Sequence, residues 1–134
     1  DGMDIALCII DRKNMILNYA GANNPLYLID NKGAFVEIKP DKMPVSHHVF
    51  MNPFHSHSVQ ISENDTMYIF SDGFADQLGG NDGRKFKYKP FKDLIYSIHK
   101  LPMAEQKQIL DERFEEWKSD YQQVDDVVII GMKF

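Results

Sequence analysis

The chain is poor in cysteine, in long apolar runs and in positive charge, and each shortage removes a class of reading. A single cysteine, Cys8, cannot form an intramolecular disulfide, which fits a reducing compartment. It lies in the apolar run Ile5-Ala6-Leu7-Cys8-Ile9-Ile10, where a buried, inert thiol is expected. No run approaches the roughly 20 apolar residues of a bilayer-spanning helix, and no secretory leader opens the sequence, so the segment is expected to be soluble, cytoplasmic and without membrane contact. Lys and Arg number 15 against 20 Asp and Glu, a net charge of −5, and this argues against a general nucleic-acid binder. It leaves a divalent-metal site open, because hard cations bind carboxylates. The sequence holds no P-loop, no GxGxxG and no Ser-His-Asp arrangement, and Ser71 beside Asp72 is no evidence for a nucleophile. Internal repeats and low-complexity stretches are absent as well.

What is present reads as an ordinary folded domain. The 134 residues, 43% hydrophobic and 26% charged, suit one domain with a modest core. Alternation predicts strands over 3–11, 15–20, 26–29 and 34–38, separated by Asp11-Arg12-Lys13-Asn14, Gly21-Ala22-Asn23-Asn24-Pro25 and Asn31-Lys32-Gly33. Four such strands in sequence suggest an antiparallel meander. Residues 39–56, with Pro40, Pro44 and Pro53, read as a long irregular connection. Strands follow over 57–61 and 66–70; the latter, apolar on both sides, is expected to be central and covered twice. A short helix at 74–78 and a Gly-rich loop (Gly79, Gly80, Gly83) come next. Then come a helix started by Pro90, with Phe91, Leu94, Ile95 and Ile98 as its stripe, and a longer one over 103–119. Residues 127–132 form a last strand, also expected to be buried on both faces. Helices covering a largely antiparallel sheet give an α+β layered domain.

Two acidic corners carry the chemistry. Asp72-Gly73 directly follows the strand at 66–70, and Asp125-Asp126 directly precedes the strand at 127–132. If these strands are antiparallel neighbours, the end of one lies beside the start of the other. Their carboxylates then converge on one rim, where Mg2+ or Mn2+ relieves the repulsion. Gly73 lets the backbone turn sharply beside a ligand. Read singly, each pair is equally a turn, and Asp72-Gly73 a helix cap.

Three stretches together resemble the SpoIIE/RsbU branch of the PP2C-type (PPM) metal-dependent serine/threonine phosphatases. They are Leu17-Asn18-Tyr19-Ala20-Gly21-Ala22-Asn23-Asn24-Pro25-Leu26-Tyr27, Tyr68-Ile69-Phe70-Ser71-Asp72-Gly73-Phe74-Ala75-Asp76 and Asp125-Asp126-Val127-Val128-Ile129-Ile130. Their order and spacing match, and the resemblance runs over residues 1–134 as the C-terminal portion of one such domain. It implies a PP2C-like sandwich of antiparallel sheets flanked by helices, with a two-metal Mn2+ or Mg2+ centre at one edge. It also implies Asp72 and Asp125 as metal ligands, with Asp126 a lesser candidate and Gly73 as backbone at the metal rim. The implied reaction is hydrolysis of phosphoserine or phosphothreonine on a phosphorylated regulatory protein, a STAS-like anti-sigma antagonist in relatives. An upstream sensor domain in the parent chain is implied too.

The family's upstream Asp-Gly-His-Gly-like motif and further acidic ligands have no counterpart here. Asp1-Gly2 leads into Met3-Asp4 and a strand, as though the N-terminal part of the domain were missing. Weak metal binding and negligible activity of this segment alone are therefore expected. Asn23 stands where relatives often carry His, in a turn where Asn tolerates left-handed geometry. The rival reading is a degenerate, non-catalytic phosphatase-fold module that binds a signalling partner.

The remaining features have simpler readings. His47-His48 and His55-x-His57 fit imidazoles without a metal better than a zinc site, which wants three or four N or S ligands. Within Arg84-Lys85-Phe86-Lys87-Tyr88-Lys89, Lys85 and Lys87 are candidates for contact with a phosphorylated partner, or simply cations pointing outwards beside the Pro90 helix. The stripe Met103, Leu110, Phe114 and Trp117 reads as core packing. Self-association through apolar surface left uncovered is an accompanying expectation.

Overall fold

A computed structural model describes residues 2–47 and 52–134, and among these it has nine strands and three helices. They fall into two compact units, residues 1–70 with 129–134, and residues 71–128.

The first unit is a pair of antiparallel sheets. One has the order β1 (Ile5–Asp11), β2 (Ile16–Ala22), β5 (His57–Gln60). The other has the order β4 (Phe35–Ile38), β3 (Leu26–Ile29), β6 (Thr66–Phe70), β9 (Ile129–Lys133). The expected four-strand meander is thus divided: β2 and β3 belong to different sheets. The turn after β2 makes the division, with Asn23 in left-handed conformation at φ 60°. Tyr19 pins that turn by donating its hydroxyl to the Asn24 carbonyl at 2.5 Å. Tyr19 is buried, and desolvation foremost pushes its phenol well above the ordinary range.

Leu17, Tyr19, Leu26, Leu28, Ile61 and Met67 form the core between the sheets. Ala6, Cys8 and Ile10 pack on it from β1, so the thiol is half-buried rather than fully enclosed, and burial raises its pKa. The alternate residues Ile5, Leu7 and Ile9 are exposed, Ile9 at 62%. β6 is central and buried as its sequence implies. β9 is not: among the described residues it pairs with β6 alone, at the sheet edge, and the face that carries Ile130 is left half exposed.

Residues 39–47 and 52–56 are irregular, as the prolines imply. Asp41 ties them, accepting hydrogen bonds from the His55 amide at 2.8 Å and meeting His55 Nδ1 at 2.6 Å. The His55 side-chain hydrogen bond foremost holds the Asp41 carboxyl below the usual range. A depressed carboxylate stabilises the fold above its unfolded pKa and loses that contribution as pH falls through the folded one. Asp41→Asn should therefore lower the thermal midpoint at neutral pH. The difference should vanish in acid below the ordinary carboxylate range, and a pH-independent difference in the melting curves would refute the assignment.

The second unit holds α1 (Gly73–Asp76), the two-residue strands β7 (Leu78–Gly79) and β8 (Arg84–Lys85), α2 (Tyr88–Ile98) and α3 (Met103–Lys118). Phe91, Ile95 and Ile98 are the buried stripe of α2, while Leu94 is only half-buried. On α3, Leu110 and Phe114 are buried and Met103 and Trp117 half-buried. Phe74 sits among the rings of Phe86, Phe91 and Phe114, with centroids 5.1, 5.1 and 5.3 Å away. The expected Gly-rich loop is a small hairpin, since β7 and β8 pair Leu78 with Lys85 and Gly79 with Arg84. No helix among the described residues is long and apolar enough to cross a membrane.

Candidate metal corner

The site is built by the ends of two chain segments in the second unit. Ser71 donates its amide to the Val128 carbonyl at 2.9 Å. Its hydroxyl donates to the Asp126 carbonyl at 3.0 Å and accepts from the Val128 amide at 3.0 Å. Gly73 completes the junction: a Cβ there would lie 2.3 Å from the Asp126 carbonyl oxygen, so only glycine allows this approach. Ser71-Asp72-Gly73 and Asp125-Asp126-Val127 are in this way brought together across more than fifty residues of sequence.

Asp72 occupies the N-cap position of α1, yet its carboxylate makes no capping hydrogen bond. The cap reading of Asp72 thereby loses its support. Asp125 Oδ1 accepts from the Asp126 amide at 2.7 Å, and its carbonyl accepts from Gln123 Nε2 at 2.8 Å. Asp125 and Asp126 are exposed and Asp72 is half-buried. Among the described residues, no three His, Cys, Asp or Glu side chains converge closely enough to hold a metal ion. Carboxylates are the right kind of donor for Mg2+ or Mn2+, but among the described residues the corner brings together too few of them to close a coordination sphere.

Two positioning residues were not picked out from sequence. Ser71 is the clasp just described. Gln77, fully buried, donates through Nε2 to the Leu78 and Gln122 carbonyls at 2.9 Å each, and its Oε1 accepts from the Val124 amide at 3.4 Å. It thus holds the segment that leads into Asp125. A polar residue inside Phe74-Ala75-Asp76-Gln77-Leu78 is the one signal that could have flagged it.

The remaining candidates lie elsewhere. Lys85 pairs with Asp76 at 3.1 Å, and Lys87 donates its amide to Ala75 at 2.8 Å, so both flank α1. His57 stacks on Tyr19 at 5.9 Å, His55 is held by Asp41, and His48 lies outside the described residues. Asp65, the buried acid of the Ser62–Asp65 turn, is satisfied by the amides of Asn31 at 2.8 Å and Ser62 at 2.7 Å, which is a structural role.

Comparison with known proteins bears on the family and the fold. The family model for Stage II sporulation protein E (SpoIIE) matches residues 2–134. Among solved structures, the SiaA PP2C domain of Pseudomonas aeruginosa superposes with a TM-score of 0.89 at 27% identity, covering 98% of this chain and 51% of that one. The manganese-presoaked phosphatase domain of SpoIIE from Bacillus subtilis gives 0.67 at 15% identity, covering 97% and 55%. The structure of the RsbU and RsbW domains of a Mycobacterium tuberculosis protein gives 0.69 at 18%, covering 97% and 36%. The latter two share the fold alone. The chain thus has the α+β, PP2C-like architecture and spans about half the length of the first two of these relatives, and less of the third. No curated protein sequence matches it significantly.

Proposed function

The chain belongs to the SpoIIE family, and from that premise we propose that it is a contributing part of a metal-dependent protein serine/threonine phosphatase in bacterial signalling. The observation that supports this most directly is the corner itself, where Ser71 and Gly73 lie against the Asp126 carbonyl and so bring the segments that carry Asp72 and Asp125 side by side. In this reading Asp72 and Asp125 are the carboxylates the chain supplies to Mn2+ or Mg2+, and Asp126 is a lesser ligand. The substrate is a phosphoserine or phosphothreonine on a regulatory protein of the STAS-like antagonist kind, with Lys85 and Lys87 facing it. An upstream sensor domain and a cytoplasmic setting belong to the same proposal. The alternative is a degenerate module of the same fold that binds a signalling partner without turnover.

Paramagnetic broadening tests the ligand assignment without needing activity. Mn2+ added to the isotope-labelled chain should broaden the amide signals of 71–74 and 124–127, at concentrations that mark weak binding. Asp72→Asn and Asp125→Asn should each remove the effect, while phosphopeptide turnover by the isolated chain stays negligible. Broadening centred on His55 and His57 instead would refute the assignment, and turnover near that of intact phosphatases would show the corner to be complete.

A further inference from the structure

A second feature of the helical unit answers to a different chemistry. Beside the β7–β8 hairpin lies an open cavity of about 380 Å³, lined by the exposed cations Arg84, Lys85, Lys87 and Arg113. No carboxylate is among its lining residues. Its remaining wall is Phe86, Pro90 and Trp117. In a chain carrying a net −5, four cations around one cavity form a local excess of the opposite sign.

The aromatic wall is held rigidly. Trp117 donates Nε1 to the Gln77 carbonyl at 2.9 Å and meets the Phe86 ring edge-on at 5.4 Å. Gly79 and Gly80 leave the indole its room, since a Cβ at Gly80 would come within 3.0 Å of its six-membered ring. Lys87, at φ 78°, donates its backbone amide in a hydrogen bond to the Ala75 carbonyl, which holds it in the left-handed region. Lys85 is partly neutralised by Asp76, so the unopposed charge rests more on Arg84, Lys87 and Arg113.

We propose that this groove docks an acidic peptide segment of a partner protein, with its carboxylates on Arg84, Lys87 and Arg113 and an apolar side chain on the Phe86–Trp117 wall. Spread cations fit a run of carboxylates better than one converging anion, and arginines pair with carboxylates in a planar fork. Single-stranded nucleic acid also likes cations interleaved with aromatics, but the acidic surface elsewhere on the chain repels a polyanion longer than the groove. The inference rests on the phosphatase reading only for what the partner does there, and deepens it by naming a contact lined by residues other than those of the acidic corner.

Trp117 is the chain's one tryptophan, so its fluorescence reports the groove directly. The probe is the peptide acetyl-Glu-Asp-Leu-Glu-Asp-Glu-amide, with acetyl-Gln-Asn-Leu-Gln-Asn-Gln-amide as the uncharged control. The acidic peptide should change the emission saturably and the control should not. Arg113→Glu and Arg84→Glu, both at exposed positions, should each weaken binding at least about tenfold, as should raised salt. Asp125→Asn should leave peptide binding unchanged, so loss of the metal reading and loss of this one are separable. The proposal is overturned by an unchanged emission, by binding indifferent to both arginine reversals, or by a thymidine oligomer binding more tightly than the acidic peptide.

Discussion

Replacing Gly73 by alanine should abolish the Mn2+ response of the corner and destabilise the chain by about 1–3 kcal/mol. The new methyl would be driven to 2.3 Å from the Asp126 carbonyl oxygen, a backbone atom that no rotamer change can move away. Relief requires the two segments to part. That breaks the Ser71 hydroxyl hydrogen bond to the same carbonyl and parts the segment of Asp72 from that of Asp125 and Asp126. Conformational preference alone does not predict this, because alanine is at home in a helical first turn. The measurement is a denaturation midpoint together with Mn2+ broadening of residues 71–74. An alanine variant with the stability and metal response of the parent would mean that the two acidic segments are not held against each other.

Phe74→Ala should be costlier still, about 3–5 kcal/mol, with Phe74→Leu recovering a large share. Phe74 is 2% exposed and touches three rings, so truncation opens a cavity among Phe86, Phe91 and Phe114 that none of them can fill without leaving its own contacts. It also loosens α1, and with it the residue just before that helix, Asp72. Trp117 lies in the same unit and provides the signal for a chemical denaturation curve. A loss of less than about 1 kcal/mol, the scale of an ordinary surface change, would show that the ring cluster contributes little.

Much of the corner was legible because strand ends are marked by abrupt changes in sequence. Apolar residues up to Phe70 give way to Ser71-Asp72-Gly73, and Asp125-Asp126 give way to Val127-Val128-Ile129. Proximity of the two required only that β6 and β9 be antiparallel neighbours, which they are. Sheet membership was not legible. Alternation states which residues share a face of a strand, but not which strand lies alongside, and one left-handed Asn23 sends β3 to another sheet. The exposure of β9 was missed for a related reason: apolar residues on both sides of a strand imply two covering layers, and Ile130 of β9, like Val128 just before it, is open at about half its surface. Gln77 and Ser71 were hidden because their work is done through hydrogen bonds to backbone atoms distant in sequence, which no spacing rule records.

The division of the chain at Phe70 and Ile129 bears on how the molecule is assembled during synthesis. These two residues are directly paired in the larger sheet, so everything between them leaves and returns at adjacent points of one host. A ribosome must finish the helical insert before the closing strand exists, and until then β6 presents an open edge able to recruit a strand from another molecule. The same geometry makes the insert exchangeable: a tight turn joining Ser71 to Val128 would span the gap they already bridge. Evolution could therefore remodel the helices and their groove while leaving the host sheet's pairing intact.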